Sequence, residues 1–158
     1  QLDALCADVD VQIGLNLIAR GSAFPGTRIR AFAEAQGLAL EQDGRFCCRD
    51  EAGLELYSLC NSEVPAFSAE GMKALATKGL TLLFDVARVP GGIVAFDRFV
   101  EFARALAESL SAGIVDDNRQ PLDQAALGKI RAQLQALYAS MEQQGIPAGS
   151  PLALRLFS

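Results

Sequence analysis

Leu80-Thr81-Leu82-Leu83-Phe84-Asp85-Val86-Ala87-Arg88 is the stretch on which the fold turns. Successive side chains of an extended chain point to opposite faces. Leu80, Leu82, Phe84 and Val86 therefore share one face, and Thr81, Leu83, Asp85 and Ala87 share the other. The first set belongs to a core. The second is one leucine among small and polar residues, unlike a strand buried on both sides, whose run is almost wholly apolar. The stretch predicts an antiparallel sheet with one face covered and the other open.

Residues 10–20 repeat the pattern, with Val11, Ile13, Leu15 and Leu17 on one face and Gln12, Gly14, Asn16 and Ile18 on the other. Between these two strands, 38–42 and 45–49 read as strands on either side of Asp43-Gly44, a pair favoured in two-residue hairpin turns, or as one bent strand. Residues 50–53 make a second turn, 54–60 a strand and 61–67 a loop. Helical spacing marks Ile29, Phe32 and Ala33, with Pro25 in the first turn and Gly37 beyond the end. Ser68 can cap a short helix containing Met72 and Leu75 that ends at Lys78-Gly79. Pro90-Gly91-Gly92 precedes a long helix carrying Phe99, Phe102, Ala103, Leu106 and Leu110, stopped by Gly113. Residues 114–116 form a short strand and 117–119 a turn. Asp123 caps a last helix with Leu127, Ile130, Leu134, Leu137 and Met141, ending at Gly145. The fold class is α+β, a mainly antiparallel sheet with three helices packed on one face and the other face open.

Length and composition bound the function. A chain of 158 residues, 51% hydrophobic and 21% charged, fits one folded domain. A net charge of −5 without a basic cluster argues against a nucleic-acid partner. The absence of histidine removes the commonest neutral-pH base and metal ligand. Cys6, Cys47, Cys48 and Cys60 contain no C-x-x-C spacing, so they read as reduced thiols of a cytosolic compartment rather than a zinc or redox site. Neighbours on a strand face opposite ways, which makes ordinary packing the reading for Cys47-Cys48. Asp116-Asp117 with Arg119 reads as a turn with a local ion pair, and Gly91-Gly92 as a hinge into the long helix. These features predict no enzyme, no cofactor and no metal site.

No stretch is long and apolar enough for a membrane helix. The chain opens at Gln1 and its first methionine is Met72, so a fragment of a longer protein is expected. Residues 1–9 read as a loose lead-in from a linker, 10–145 as the domain, and 146–158 as an apolar tail. That tail, with Leu152, Leu154, Leu156 and Phe157, either packs on its own domain or serves an interaction.

The order and spacing of Leu56-Tyr57-Ser58-Leu59-Cys60-Asn61, Met72-Lys73, 77–82 (Thr-Lys-Gly-Leu-Thr-Leu) and 113–119 (Gly-Ile-Val-Asp-Asp-Asn-Arg) resemble the family of ZipA C-terminal FtsZ-binding domains, over roughly 10–143. The resemblance implies a shallow groove on the open sheet face that receives the C-terminal peptide of FtsZ. It also implies an adaptor tying FtsZ filaments to the cytoplasmic face of the inner membrane at the division septum, through an N-terminal anchor absent from this sequence. Carried over by position, the groove falls on Gln12, Gly14, Arg45, Cys60, Ser62, Thr81 and Leu83, with Asp43 or Gly44 near one end. Family grooves are lined by aliphatic, methionine and phenylalanine side chains, whereas several of these positions are small or polar. An alternative keeps the fold and changes the partner, using the sheet or the tail for self-association or for another division protein. Two further expectations follow from the resemblance. Arg45 offsets lost apolar contact by pairing with the acidic part of the FtsZ tail. The tail's Ile146-Pro147-Ala148 and Leu154-Arg155, similar to elements of the FtsZ peptide, competes for the groove.

Overall fold

The computed structural model describes residues 12–116 and 118–157. The lead-in 1–9 with Cys6, the first two residues of the predicted 10–20 strand, and Asp117 lie outside them. Six strands, β1 (Gln12–Ala19), β3 (Ala39–Leu40), β4 (Phe46–Arg49), β5 (Glu55–Asn61), β7 (Gly79–Asp85) and β8 (Ala112–Val115), form one sheet in the order β3-β4-β5-β7-β1-β8. Every pairing in it is antiparallel. A separate two-stranded pair joins β2 (Phe24–Pro25) to β6 (Ala76–Thr77). The helices are α1 (Gly26–Ala35), α2 (Ile93–Leu110), α3 (Gln124–Gln143) and α4 (Pro151–Leu156).

The period-two pattern becomes the core directly. Leu15, Leu17, Leu59, Leu80, Leu82 and Phe84 are at most 1% exposed. Above them α2 contributes Phe96, Phe99 and Phe102, and Phe84 stacks on Phe99 with ring centroids 5.3 Å apart. Tyr57 joins this aromatic layer against Phe99 and Phe102, and Phe32 of α1 packs on Phe102. From α3, Leu127, Leu134 and Met141 enter the same core, and the Tyr138 hydroxyl donates to the Val86 carbonyl at 3.0 Å. Asp123 caps α3 by accepting from the Ala126 amide.

The hairpin, not the bent strand, joins β3 to β4. Its loop has three residues rather than two, because the Glu41 amide donates to the Arg45 carbonyl and Gly44 takes φ +87°. A Cβ at Gly44 would also lie 2.8 Å from the Ala66 side chain. A similar turn links β4 to β5, with Asp50 Oδ1 accepting from the amides of Ala52 and Leu54. The register then shifts between Cys48 and Arg49. The shift brings Glu55, rather than Leu56, to the side of Arg45 and Cys47.

Other expectations are corrected. Ser68 does cap, its hydroxyl accepting from the Gly71 amide, but 69–74 is a run of turns and not a helix. The Leu75 carbonyl is taken by the Gly26 amide and the next two residues pair with β2, so the segment is too short and too constrained to nucleate one. Pro25 precedes α1 instead of entering its first turn. The 80–88 strand ends at Asp85, after which the chain turns and buries Ala87, which therefore leaves the open face. Gly113 does not stop α2. Ser111 does, in a left-handed conformation at φ 54°, and Gly113 pairs with Ile18 in β8.

The segment after Gly145 packs on its own domain and contains the last of the described helices, α4. Ile146, Ala153 and Phe157 are at most 2% exposed within the common core. Gly149 makes this docking possible. Its amide donates to the Ala87 carbonyl at 3.0 Å, it adopts φ +74°, and a Cβ there would come within 2.5 Å of Pro90.

Candidate peptide-binding face

Strand register assembles the open face row by row. Gly14 of β1 lies opposite Leu83 of β7, Leu83 opposite Ser58 of β5, and Ser58 opposite Cys47 of β4. The next row is Asn16, Thr81 and Cys60, in which the Thr81 hydroxyl donates to Asn16 Oδ1 at 2.9 Å. Gln12 sits opposite Asp85 in the row beyond Gly14. No helix of the α1–α3 layer crosses this side, because its residues offer no continuous apolar surface for one. Leu83 is its large aliphatic side chain near the centre, half-buried.

The seven positions predicted for a groove do not line one trough. Gln12, Arg45 and Leu83 line a cleft of about 320 Å³, together with Leu54, Glu55, Ser58, Asp85, Arg88 and Leu154. Ser62 lies in a second depression, of about 460 Å³, beside Asn16, Ile18, Lys78, Gly79, Val115 and Arg119. Gly14, Cys60 and Thr81 form the low floor between the two. The Ser62 amide donates to the Gly79 carbonyl, and the Ser62 hydroxyl lies over Gly79, so a side chain there would require Ser62 to change rotamer. Asp43 and Gly44 sit in the β3–β4 loop, with Asp43 reaching the face only through Arg45.

Charge on this side is organised in local pairs. Arg45 donates from Nε to Asp43 at 2.8 Å and from both Nη atoms to Glu55 at 3.1 Å. Arg49 makes two 2.7 Å bonds to Glu41 and a third to the Gly53 carbonyl. The arginine hydrogen bonds hold the Asp43 and Glu41 carboxyls below their usual range. Arg45 thus already donates to two carboxylates, and an acidic partner segment would have to compete with Asp43 and Glu55 for it.

Cys47 and Cys48 point to opposite sides of β4 as expected. Burial, with Glu55 nearby, pushes the Cys47 thiol up to about 12, and burial also raises Cys60. Neither is a nucleophile near neutrality. Gly91 and Gly92, both at positive φ, turn the chain into α2. Asp116 closes its turn by accepting from the amides of Asn118 and Gln120, and among the described residues it makes no ion pair with Arg119. No cluster of three metal-ligating side chains occurs among the described residues, and no described helix is long and apolar enough to cross a membrane.

Sequence reasoning placed Asp85 on this face without assigning it to the groove, and missed Ser58, Arg88, Glu55 and Leu154 as parts of it. Strict alternation from Cys60 and from Leu83 reaches Ser58 and Asp85. Glu55 depends on the register shift, and Arg88 and Leu154 on how the chain turns after β7 and how the tail docks.

The fold and this surface define a two-layer α+β domain in which the described helices α1–α3 leave one face of the sheet uncovered. The family model of ZipA, C-terminal FtsZ-binding domain, matches residues 11–133, and the chain belongs to that family. It is a family of protein-binding adaptor domains of cell division, not of enzymes. No protein with a curated description matches the chain.

Proposed function

We propose that this domain binds the C-terminal peptide of FtsZ along its open sheet face, over Gln12, Gly14, Arg45, Cys60, Ser62, Thr81 and Leu83. In this reading it ties FtsZ filaments to the cytoplasmic face of the inner membrane at the septum, through a membrane segment outside this sequence. Residues 10–145 form the adaptor domain, 1–9 lead into it, and the packed tail bounds one end of the face. The observation that carries the reading is the half-buried Leu83 between Gly14 and Ser58, at the centre of a sheet face that none of the described helices α1–α3 covers, in a chain of this family. Two depressions separated by a small-residue floor suit an extended peptide with a side chain at each end better than an enclosed small molecule. Leu83 supplies apolar contact where the neighbouring positions are small, and burying such a side chain contributes about 1.5–3 kcal/mol.

Titrating the labelled domain with the C-terminal FtsZ peptide of the same organism, followed by amide chemical shifts, tests this. Saturable shifts at Gly14, Thr81 and Leu83 are expected. Shifts confined to the α1–α3 side would overturn the placement. A folded domain that does not respond favours the alternative, the same fold with a changed partner.

A further inference from the structure

The cleft at the tail end of the open face contains a buried hydroxyl with nothing to bond. Ser58 is 1% exposed, and among the described residues its Oγ has no hydrogen-bond partner. Native proteins rarely leave such a group unsatisfied, and the exceptions call for a ligand or a function. Ser58 lies opposite Leu83 and lines the 320 Å³ cleft together with Leu83, Arg88 and Leu154.

Three arginines reach this cleft, and they are not equivalent. Arg45 is held by Asp43 and Glu55, and Arg49 by Glu41. Arg88 donates from Nη1 to the carbonyls of Leu154, at 2.8 Å, and Phe157, at 3.4 Å. Those acceptors are neutral, and a guanidinium carries five N–H donors. Of the acidic groups in the lining, Glu55 is tied to Arg45 by two hydrogen bonds, and Asp85 has an interaction of its own. An uncommitted hydroxyl and a half-buried guanidinium on neutral acceptors, flanked by two leucines, match a carboxylate on a short aliphatic stem. A carboxylate accepts on two oxygens and forms its strongest bonds with guanidinium donors.

We propose that this cleft is a carboxylate pocket, in which Ser58 Oγ and the Arg88 guanidinium hold an acidic group of the bound peptide while Leu83 and Leu154 pack on its stem. The proposal rests on the peptide-binding reading of the open face and names the chemistry recognised at one end of it. Leu154 lies beyond the residues that match the family model. The pocket therefore combines the family sheet with this chain's own tail, and it would set a preference that the sheet alone does not.

The carboxylate can belong to a side chain or to the peptide's C-terminus. A series of FtsZ C-terminal peptides with each acid changed to its amide, plus one with an amidated C-terminus, is titrated against the 158-residue chain and its Ser58→Ala and Arg88→Met variants. On the unsubstituted chain one change is expected to weaken binding about tenfold, consistent with loss of hydrogen bonds to a charged group. That penalty should shrink in Ser58→Ala, which leaves Arg88 in place, and vanish in Arg88→Met, and the peptide showing it identifies the source. Ser58→Ala removes only an unpaired hydroxyl, so its melting temperature should not fall. If Arg88→Met loosens the tail, Ser58→Ala decides alone. Equal losses for every peptide on all three proteins would overturn the pocket. If no FtsZ peptide binds at all, the FtsZ reading fails and N-acetylaspartate is the deciding probe. Chemical-shift changes at Ser58 and Arg88 that need a higher probe concentration in Ser58→Ala sustain the pocket, and no changes there sink it.

Discussion

On β7, Leu82 and Leu83 are consecutive leucines with the same intrinsic propensities, and the sheet separates them. Leu82 is fully buried against the helical layer, in a row with Leu15 and Leu59. Leu83 is half-buried on the other side, in a row with Gly14 and Ser58. The covered face is almost entirely apolar, Tyr57 apart, and its residues hold the fold together. The open face mixes a leucine, a glycine, hydroxyls and paired charges, a composition that contributes little to stability and leaves groups free to meet a partner. The lesson is that a residue's contribution follows the layer it faces, not its type.

The tail is the sharpest challenge to this division, because α4 reaches both sides. Phe157 is 1% exposed in the core while Leu154 borders the open cleft. Phe157→Ala is expected to lower stability by about 3–5 kcal/mol in chemical denaturation. A negligible change would mean that the tail is a detachable segment able to compete for the face, as its sequence likeness to the FtsZ peptide first implied. Next in size comes the contrast across β7. Leu82→Ala should cost about 2–5 kcal/mol of stability. Leu83→Ala should cost less than about 1 kcal/mol of stability and weaken peptide binding by about 1–3 kcal/mol in calorimetric titration. Reversed effects would break the assignment of faces.

Smaller effects concern charge. Arg45 is engaged by Asp43 and Glu55, so Arg45→Met should change stability by about 1 kcal/mol or less. It should also leave the salt dependence of peptide binding unchanged. A salt dependence that vanished with this substitution would show that the arginine leaves its carboxylates for the partner. Stability should be nearly flat between about pH 5 and 8, since the chain has no histidine. Glu41, Asp43, Glu63 and Asp97 are all held below their usual range by hydrogen bonds. Their contribution is present above the unfolded carboxyl values and is lost as acid takes the pH through the lowered ones, below about 4. At the alkaline end the unfolded Cys47 thiol ionises first, while burial holds the folded one up to about 12, so stability should decline above about pH 8.5. Thermal melts across this range check both limits.

The sequence by itself determined the covered face. Alternation along 80–88 and the residues before Ala19 placed Leu15, Leu17, Leu80, Leu82 and Phe84 together, and the spacing of Phe99, Phe102 and Leu106 placed α2 over them. These patterns are local, because burying an apolar stripe requires the same period wherever it lies. Asp123 and the two glycine turns were legible for a similar reason, since caps and left-handed turns are satisfied within a few residues. Only the tertiary structure decided the rest. Two glycine-closed hairpins and a register shift brought Glu55 to Arg45. The chain's turn after Asp85 withdrew Ala87 from the open face, and Gly149 on Pro90 seated the tail so that Leu154 and Arg88 meet beside Ser58. Each of these joins residues far apart in the chain through backbone geometry, which no periodicity encodes.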